Sequence, residues 1–136
     1  MKRLAIVLSL GLATPALADD AVIDGMLDYM EFAEYEAGII LPAQLDEAVF
    51  HAVTFVDTRD AGQFEAATIP GAINIEWREV LTRMDEIPTA GMVVMFCNTG
   101  TLSAQASFAL RVAGRENVVV LQTGFLGWQD TAAYRP

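Results

Sequence analysis

The stretch M-V-V-M-F-C-N-T-G-T-L-S, residues 92–103, carries the strongest structural pattern in the 136-residue chain. Its five consecutive apolar residues, Met92 to Phe96, are typical of a parallel strand buried on both faces of its sheet. Cys97 and a short polar loop follow, and the loop contains Gly100, which can adopt backbone angles that other residues disfavour. From Ser103 to Val112 the sequence is typical of a helix. The stretch therefore predicts a strand, a tight loop and a helix in direct succession.

The same alternation of short apolar runs and amphipathic segments continues on both sides of this unit. Such alternation indicates βαβ units, and hence an α/β domain with a mainly parallel sheet of about five strands and helices on both faces. The further strands are predicted at Ala37–Ile40, Val53–Val56, Ala72–Ile75 and Val118–Leu121. The further helices are predicted at Pro42–Phe50, from a cap near Asp60 to Ala67, at Trp77–Met84 and at Gly124–Gln129.

The N-terminus shows the three parts of a secretory signal peptide. Lys2 and Arg3 form the positive start, Leu4 to Leu12 the short apolar centre, and Ala16-Leu17-Ala18 the small residues of a cleavage site. A buried N-terminal helix is the alternative, but the segment shows no polar face at helical spacing. The apolar centre is also shorter than the ~20 residues of a membrane-spanning helix. We expect a signal peptide at 1–18, an N-terminal arm at 19–34, a domain at 35–136, and a periplasmic or secreted protein with no membrane insertion after cleavage.

Composition limits the functions open to the mature chain. The full chain has 8 Lys and Arg against 18 Asp and Glu, a net charge of −10, and loss of Lys2 and Arg3 with the leader makes it −12. So acidic a surface argues against nucleic acid or an anionic membrane as a partner, since both are bound through positive patches. The chain has one cysteine and one histidine, His51, so it can form no internal disulfide and offers no case for a metal site.

Cys97 occupies a position in the chain where chemistry is expected. In open parallel sheets, ligands collect at the carboxyl ends of the strands, where loops lead into helices. Backbone N–H groups of the loop and the helix start would converge on the sulfur there, and their partial positive charge favours the nucleophilic thiolate. On spacing alone, a core cysteine at a strand end is the alternative interpretation.

Three blocks of the sequence resemble, in the right order, the family of single-domain rhodaneses. C-N-T-G-T-L-S, residues 97–103, is similar to that family's active-site loop, C-x-x-G-x-x-S/T. F-V-D-T-R-D at 55–60 and I-P-G-A-I-N-I at 69–75 resemble D-x-R followed by G-H-I-P-G-A-x-N-I. V-L-Q-T-G-F-L-G-W at 120–128 resembles L-x-G-G-F-x-x-W. The blocks span roughly residues 39–129 and imply the family's three-layer α/β fold.

The resemblance implies a sulfurtransferase that works through a covalent intermediate. In rhodaneses the cysteine attacks the outer sulfur of a donor, becomes a persulfide and passes that sulfur to cyanide or a thiol. By position, Cys97 is the sulfur carrier, and Asp57 and Arg59 match D-x-R, with the ordering of the loops as their expected role. No cofactor is required; the expected partners are a small sulfur donor and a thiol acceptor, with a partner protein as a further candidate. The implied substrate-binding loop comprises Asn98, Thr99, Gly100, Thr101, Leu102 and Ser103.

The loop departs from the family in its charge. Many rhodaneses that use thiosulfate carry Arg or Lys inside the loop, where the charge binds the anionic donor. Here the corresponding residues are Asn98, Thr101 and Leu102, so we expect thiosulfate to be a poor natural donor. A further departure replaces the family's usual Glu, Gly and His with Gln63, Ala67 and Thr68.

Other cysteine-based activities fit the residues less well. Phosphatases and arsenate reductases related to this fold need an arginine six positions after the cysteine, and that residue is Ser103. A thiol–disulfide oxidoreductase would normally have a C-x-x-C pair, but position 100 is glycine. The remaining alternative is a rhodanese-like module that binds a partner or carries sulfur without turnover of its own. The uncharged loop favours this module, whereas the retained cysteine argues against it.

Overall fold

The computed structural model describes residues 20–136, and these form a five-stranded sheet in which every strand pair is parallel. The strands are β1 Ile39–Ile40, β2 Thr54–Asp57, β3 Ile73–Asn74, β4 Val93–Phe96 and β5 Val118–Leu121, in the spatial order β1-β5-β4-β2-β3. The helices are α1 Asp20–Phe32, α2 Glu47–Ala52, α3 Ala61–Ala66, α4 Thr101–Val112 and α5 Gly124–Thr131. Short 3-10 helices lie at Pro42–Gln44, Trp77–Glu79 and Met84–Glu86. The three-layer α/β fold is thereby confirmed.

The central strand, β4, is buried on both faces, as its continuous apolar sequence predicts. Val94 and Phe96 face one core, which is completed by residues of α2 and α5. Val93 and Met95 face a second core, which is completed by residues of α4. Because helices cover both faces of the sheet, Cys97, the residue that follows β4, lies at the end of a fully buried strand.

The register of the strands brings the ends of β2 and β4 to the same level. Asp57, the last residue of β2, pairs with Phe96, the last residue of β4. Thr58 ties the two loops together, because its N–H and its hydroxyl both donate to the Phe96 carbonyl, at 2.8 and 2.9 Å. The segments that begin at Thr58 and Cys97 therefore leave the sheet side by side.

The N-terminal arm, for which the sequence predicts no definite structure, forms helix α1 and docks on α4. The ring of Tyr29 packs edge-on against Phe108, with 5.4 Å between centroids, and its hydroxyl accepts a hydrogen bond from Arg111 Nε at 3.1 Å. The predicted signal peptide at 1–18 lies outside the described residues. Among residues 20–136, no helix is long and apolar enough to cross a membrane.

The predicted helix at Pro42–Phe50 is wrong as a single element. A 3-10 helix at Pro42–Gln44 ends at Leu45, whose side chain is completely buried. Asp46 then caps a new helix, α2, by accepting a hydrogen bond from the Val49 N–H at 2.8 Å. Burial of Leu45 and the cap at Asp46 together break the chain into two helices.

The predicted helix at Trp77–Met84 is also wrong, because the segment forms two 3-10 helices joined by a turn. The break directs Val80 and Ile87, each 2% exposed, into the core beneath α4. Smaller differences concern helix ends. α4 begins at Thr101, two residues before the predicted start, and α5 continues to Thr131.

Candidate active site

Cys97 lies directly after β4, in the lining of a cleft, with 3% of the residue exposed. Gly100 has a φ of +97°, in the left-handed region that glycine adopts readily. This turn directs the Gly100 N–H back to the cysteine, where it donates to Sγ at 3.2 Å. The 12-residue helix α4 begins at the next residue. The sulfur therefore lies at a helix N-terminus, where the helix dipole stabilises negative charge.

The surroundings of Cys97 favour the thiolate. Burial raises the pKa of the thiol, but the backbone N–H groups of Ser103, Thr99 and Leu102 and the Ser103 hydroxyl lower it by more, so the pKa lies below the ordinary value for cysteine. Ser103 Oγ is 3.7 Å from Sγ and 3.0 Å from the Gly100 carbonyl oxygen, so its proton can be donated to either. The sulfur thus occupies an uncharged cradle, built mainly from backbone, that stabilises negative charge.

The start of α5 holds the Cys97 loop from behind. The Phe125 N–H donates to the Cys97 carbonyl at 2.8 Å, and the Leu126 N–H donates to the Asn98 carbonyl at 3.1 Å. Gly124 permits this approach, because a Cβ there would lie 2.7 Å from the Asn98 carbonyl oxygen and closer still to that of Cys97. With its carbonyls bound by α5, the loop keeps its N–H groups directed at the sulfur.

Asp57 and Arg59 form a buried ion pair next to this loop. Asp57 is 0% and Arg59 6% exposed, and the guanidinium contacts the carboxylate through Nε at 3.0 Å and Nη2 at 2.6 Å. The Thr68 hydroxyl donates to the same carboxylate at 2.8 Å, and Arg59 Nη2 also donates to the Ala67 carbonyl at 2.7 Å. The guanidinium lies over the ring of Phe125, 4.5 Å from its centroid. The network therefore links the loop after β2 to both α3 and α5.

Asn98 connects this network to the cysteine. Arg59 Nη1 donates to Asn98 Oδ1 at 3.2 Å, and Asn98 Nδ2 donates to Gln63 Oε1 at 2.7 Å. Because Asn98 follows Cys97 directly, the position of the sulfur is coupled to that of the buried guanidinium. A cationic side chain at position 98 would face Arg59, so the neutral amide is the residue type that fits.

The cleft above Cys97 has a volume of about 290 Å³. Among the predicted site residues, those that line it are Cys97, Arg59, Asn98, Thr99, Thr101 and Leu102. Gly100, Ser103 and Asp57 do not line it, but they hold the sulfur and Arg59 in place. The structure adds six further lining residues: Thr58, Asp60, Gln63, Glu76, Trp77 and Arg78.

Glu76, Trp77 and Arg78 are cleft residues that the sequence patterns did not reveal. They come shortly after β3, which pairs with β2, so their segment reaches the same edge of the sheet as the Cys97 loop. Their position just after a predicted strand could have identified them as candidate site residues. The incorrect prediction of a helix at Trp77–Met84 hid this position. Arg78 brings a positive charge to a cleft whose cysteine loop has none.

His51 and Trp128 lie away from this cleft. His51 is exposed and contacts the rings of Phe50 and Tyr134. Trp128 is buried and stacks on Phe125, with 5.9 Å between centroids. Within residues 20–136, no three His, Cys, Asp or Glu side chains come together as metal ligands would.

An all-parallel sheet with one activated thiol after its central strand defines a class of α/β proteins whose cysteine is cradled by backbone N–H groups. Comparison with protein families identifies one family within that class. The chain belongs to the rhodanese-like domain family, whose model matches residues 41–131.

Similar proteins include two curated relatives and a solved structure. An HTH-type transcriptional regulator of Mycobacterium tuberculosis is 39% identical over 80 residues, which are 57% of this chain and 34% of the regulator. A sulfurtransferase of Allochromatium vinosum is 33% identical over 76 residues, 56% of this chain and 71% of that protein. The crystal structure of a rhodanese-related protein from Thermoplasma volcanium matches with a TM-score of 0.61 and 25% identity, covering 67% of this chain and 89% of that one. The chain thus spans about a third of the regulator that it matches.

Proposed function

We propose that this protein is a sulfurtransferase that carries a sulfane sulfur on Cys97. The observation behind the proposal is a thiol of lowered pKa, set in an uncharged cradle of N–H groups and open to a cleft. A cradle that stabilises a thiolate also suits a persulfide, which carries its negative charge on sulfur. Membership of the rhodanese-like family and likeness to a protein named a sulfurtransferase support the same class of reaction.

The reaction has two half-reactions. In the first, the Cys97 thiolate attacks the outer sulfur of a donor R–S–SH, the donor S–S bond breaks, Cys97–S–SH forms and R–S⁻ leaves. In the second, an acceptor thiolate attacks that outer sulfur, the S–S bond of the enzyme breaks, and Cys97 leaves as a thiolate. Both steps exchange one S–S bond for another, so the cycle needs no external oxidant, reductant or cofactor. Ping-pong kinetics follow from this scheme.

The donor in this proposal is a small persulfide rather than thiosulfate. The Cys97 loop is uncharged, and in the lining of the cleft the carboxylates of Asp60 and Glu76 balance the guanidinium groups of Arg59 and Arg78. With a net charge of −10 on the whole chain, the field around the cleft slows the approach of a dianion. The acceptor is a thiol, either a small molecule or a cysteine on a partner protein.

The proposal also places the mature protein in the periplasm or outside the cell, on the pattern of residues 1–18. Mass spectrometry of protein isolated from its source should give a chain that begins at Asp19. In an oxidising compartment, the 3% exposure of Cys97 restricts the access of oxidants to the single thiol.

The experiment that tests the proposed function is the intact mass of the purified protein after incubation with thiosulfate or with a small organic persulfide. We expect a gain of one sulfur at Cys97, faster with the persulfide, and its removal by cyanide or excess thiol. Cys97→Ser should gain no sulfur and should keep the circular dichroism spectrum of the parent. Sulfur on that variant would contradict the role of Cys97. No sulfur on the parent would leave a non-catalytic rhodanese-like binding module as the function.

A further inference from the structure

Four charged side chains line the cleft: Arg59, Asp60, Glu76 and Arg78. Arg59 is bound to Asp57 in the buried network, and Asp60 caps α3 by accepting a hydrogen bond from the Gln63 N–H at 3.0 Å. Glu76 and Arg78 differ from these, because they lie at the rim and bind each other. Their side chains are 19% and 73% exposed, so the pair is within reach of a ligand.

The contact between Glu76 and Arg78 leaves hydrogen-bonding capacity on both sides. Arg78 Nε donates to the two Glu76 oxygens, each at 3.1 Å, and the Arg78 N–H also donates to Glu76 Oε2 at 3.1 Å, so that Glu76 caps the 3-10 helix at Trp77–Glu79. Arg78 Nη1 and Nη2 donate no hydrogen bond to any residue in the range 20–136 that the structure describes. An exposed ion pair of this kind contributes little to stability, so a ligand can share it at small cost.

The rim therefore presents one cation and one anion side by side, above an uncharged loop that holds the nucleophile. A dianionic donor would gain from Arg78 but would be repelled by Glu76. A ligand with an ammonium and a carboxylate on neighbouring atoms would satisfy both, since the guanidinium edge binds carboxylates and the Glu76 oxygens accept from an ammonium. The head group of an α-amino acid has this arrangement.

We propose that Glu76 and Arg78 form a subsite for an α-amino-acid head group, so that the preferred sulfur donor is the persulfide of an amino-acid thiol. This inference rests on the proposed function of Cys97. The chemistry is balanced as before: the Cys97 thiolate takes the outer sulfur of R–S–SH, the donor S–S bond breaks, and the amino-acid thiolate R–S⁻ leaves. Glu76 and Arg78 are specificity residues, which bind the donor without taking part in the bond exchange.

Three matched donors separate the two contacts. Cysteine persulfide carries both charges, the persulfide of 3-mercaptopropionate lacks the ammonium, and the persulfide of cysteamine lacks the carboxylate. The initial rate of sulfur gain on Cys97, followed by intact mass at subsaturating donor, should be highest with cysteine persulfide. We expect a loss of up to about fivefold for each missing charge, the upper end of the range for an exposed ion pair.

Two variants should give a crossed pattern that a purely structural role would not produce. Arg78→Gln should slow loading from the two donors with a carboxylate and leave the cysteamine persulfide unaffected. Glu76→Gln should slow loading from the two donors with an ammonium and should not slow the 3-mercaptopropionate persulfide. Glu79→Gln and Arg83→Gln are matched controls, because they change the same charges in the same segment outside the cleft. They should leave the order of the donors unchanged.

The outcomes distinguish this inference from the proposed function. Equal loading of the parent protein from all three donors, or a uniform effect of each variant on every donor, would overturn the subsite while leaving Cys97 as the carrier. Failure of every donor to load Cys97 would overturn both.

Discussion

The loops that follow β2 and β4 lie side by side at one edge of the sheet, yet they are held in different ways. The loop after β2 is fixed by side chains, through the buried pair of Asp57 and Arg59. The loop after β4 is fixed mainly by the backbone, through the Gly100 N–H on the sulfur and the α5 N–H groups on its carbonyls, and the Asn98 amide is its side-chain link to Arg59. The difference separates two tasks. The ion pair positions the site, while the backbone cradle stabilises a charge on sulfur without placing a charged side chain beside it.

The structural role of the buried ion pair can be tested by a substitution at Asp57. Asp57→Asn leaves the Arg59 guanidinium buried without its counter-charge, so the free energy of unfolding should fall by about 3–5 kcal/mol. Urea denaturation measures the loss. Glu86→Gln is the matched control, because it breaks an exposed pair with Arg83 at 2.7 Å and should cost at most about 1 kcal/mol. Similar losses in the two variants would contradict a structural role for the buried pair.

The role of the backbone contacts can be tested by a substitution at Gly124, where α5 approaches the cysteine loop. Gly124→Ala places a Cβ against the Cys97 and Asn98 carbonyls and should cost about 1–3 kcal/mol beyond the backbone penalty, while slowing sulfur loading of Cys97. Gly114→Ala is the control: its φ of +91° carries the same kind of backbone penalty, but no atom lies within 4 Å of the new Cβ. If thermal denaturation and loading rates did not separate the two variants, the close approach would have no role in shaping the site.

The electrostatic role of the cradle can be measured at Ser103. Ser103→Ala removes a hydroxyl that lowers the pKa of Cys97, so that pKa should rise. Alkylation by iodoacetamide requires the thiolate, and its rate falls as the pH drops through the pKa. The fall should therefore occur at higher pH in the variant than in the parent protein. Ser107→Ala, on the same helix but without a contact to Cys97, should leave the pH profile in place. A profile that Ser103→Ala does not move would show that the backbone alone sets the pKa.

The smallest effect is expected at Thr123, which precedes α5. Its φ of +65° places a β-branched residue in the left-handed region, at a cost of about 1–2 kcal/mol. Thr123→Gly relieves that strain but adds freedom to the unfolded chain, which offsets up to about 1 kcal/mol. A net gain in stability of up to about 1 kcal/mol should appear as a higher Tm, with the sulfur loading rate unchanged. A lower Tm would mean that the Thr123 side chain contributes contacts that outweigh its strain.

Local pattern was sufficient to predict β4, the Cys97 loop and α4. The apolar run from Met92 to Phe96 has the composition of a doubly buried strand, and the helix after it starts within two residues of the expected position. The sheet could be predicted for the same reason, since β1, β2 and β5 also lie in short, largely apolar runs. By contrast, the two breaks near Leu45 and Val80 depend on which side chains the core receives. That information is not local to either segment.

The partners of the site residues could not be predicted for a similar reason. Asn98 binds Arg59, which is 39 residues earlier in the chain, and Gln63, which is 35 residues earlier. The sequence showed only that a cationic residue was missing at position 98. The structure explains the amide there, because the site already contains a buried guanidinium. Glu76 and Arg78 likewise reach the cleft only through the pairing of β3 with β2.

The hydrogen bonds from α5 to the cysteine loop make two amides natural reporters of sulfur occupancy. The amide hydrogens of Phe125 and Leu126 are bound to the carbonyls of Cys97 and Asn98. They can exchange with deuterium only when α5 separates from the loop. If an added sulfur atom tightens or loosens that contact, the deuterium uptake of a peptide from the start of α5 will change. In that case, the loading of Cys97 with sulfur can be followed in solution by hydrogen exchange at the start of α5.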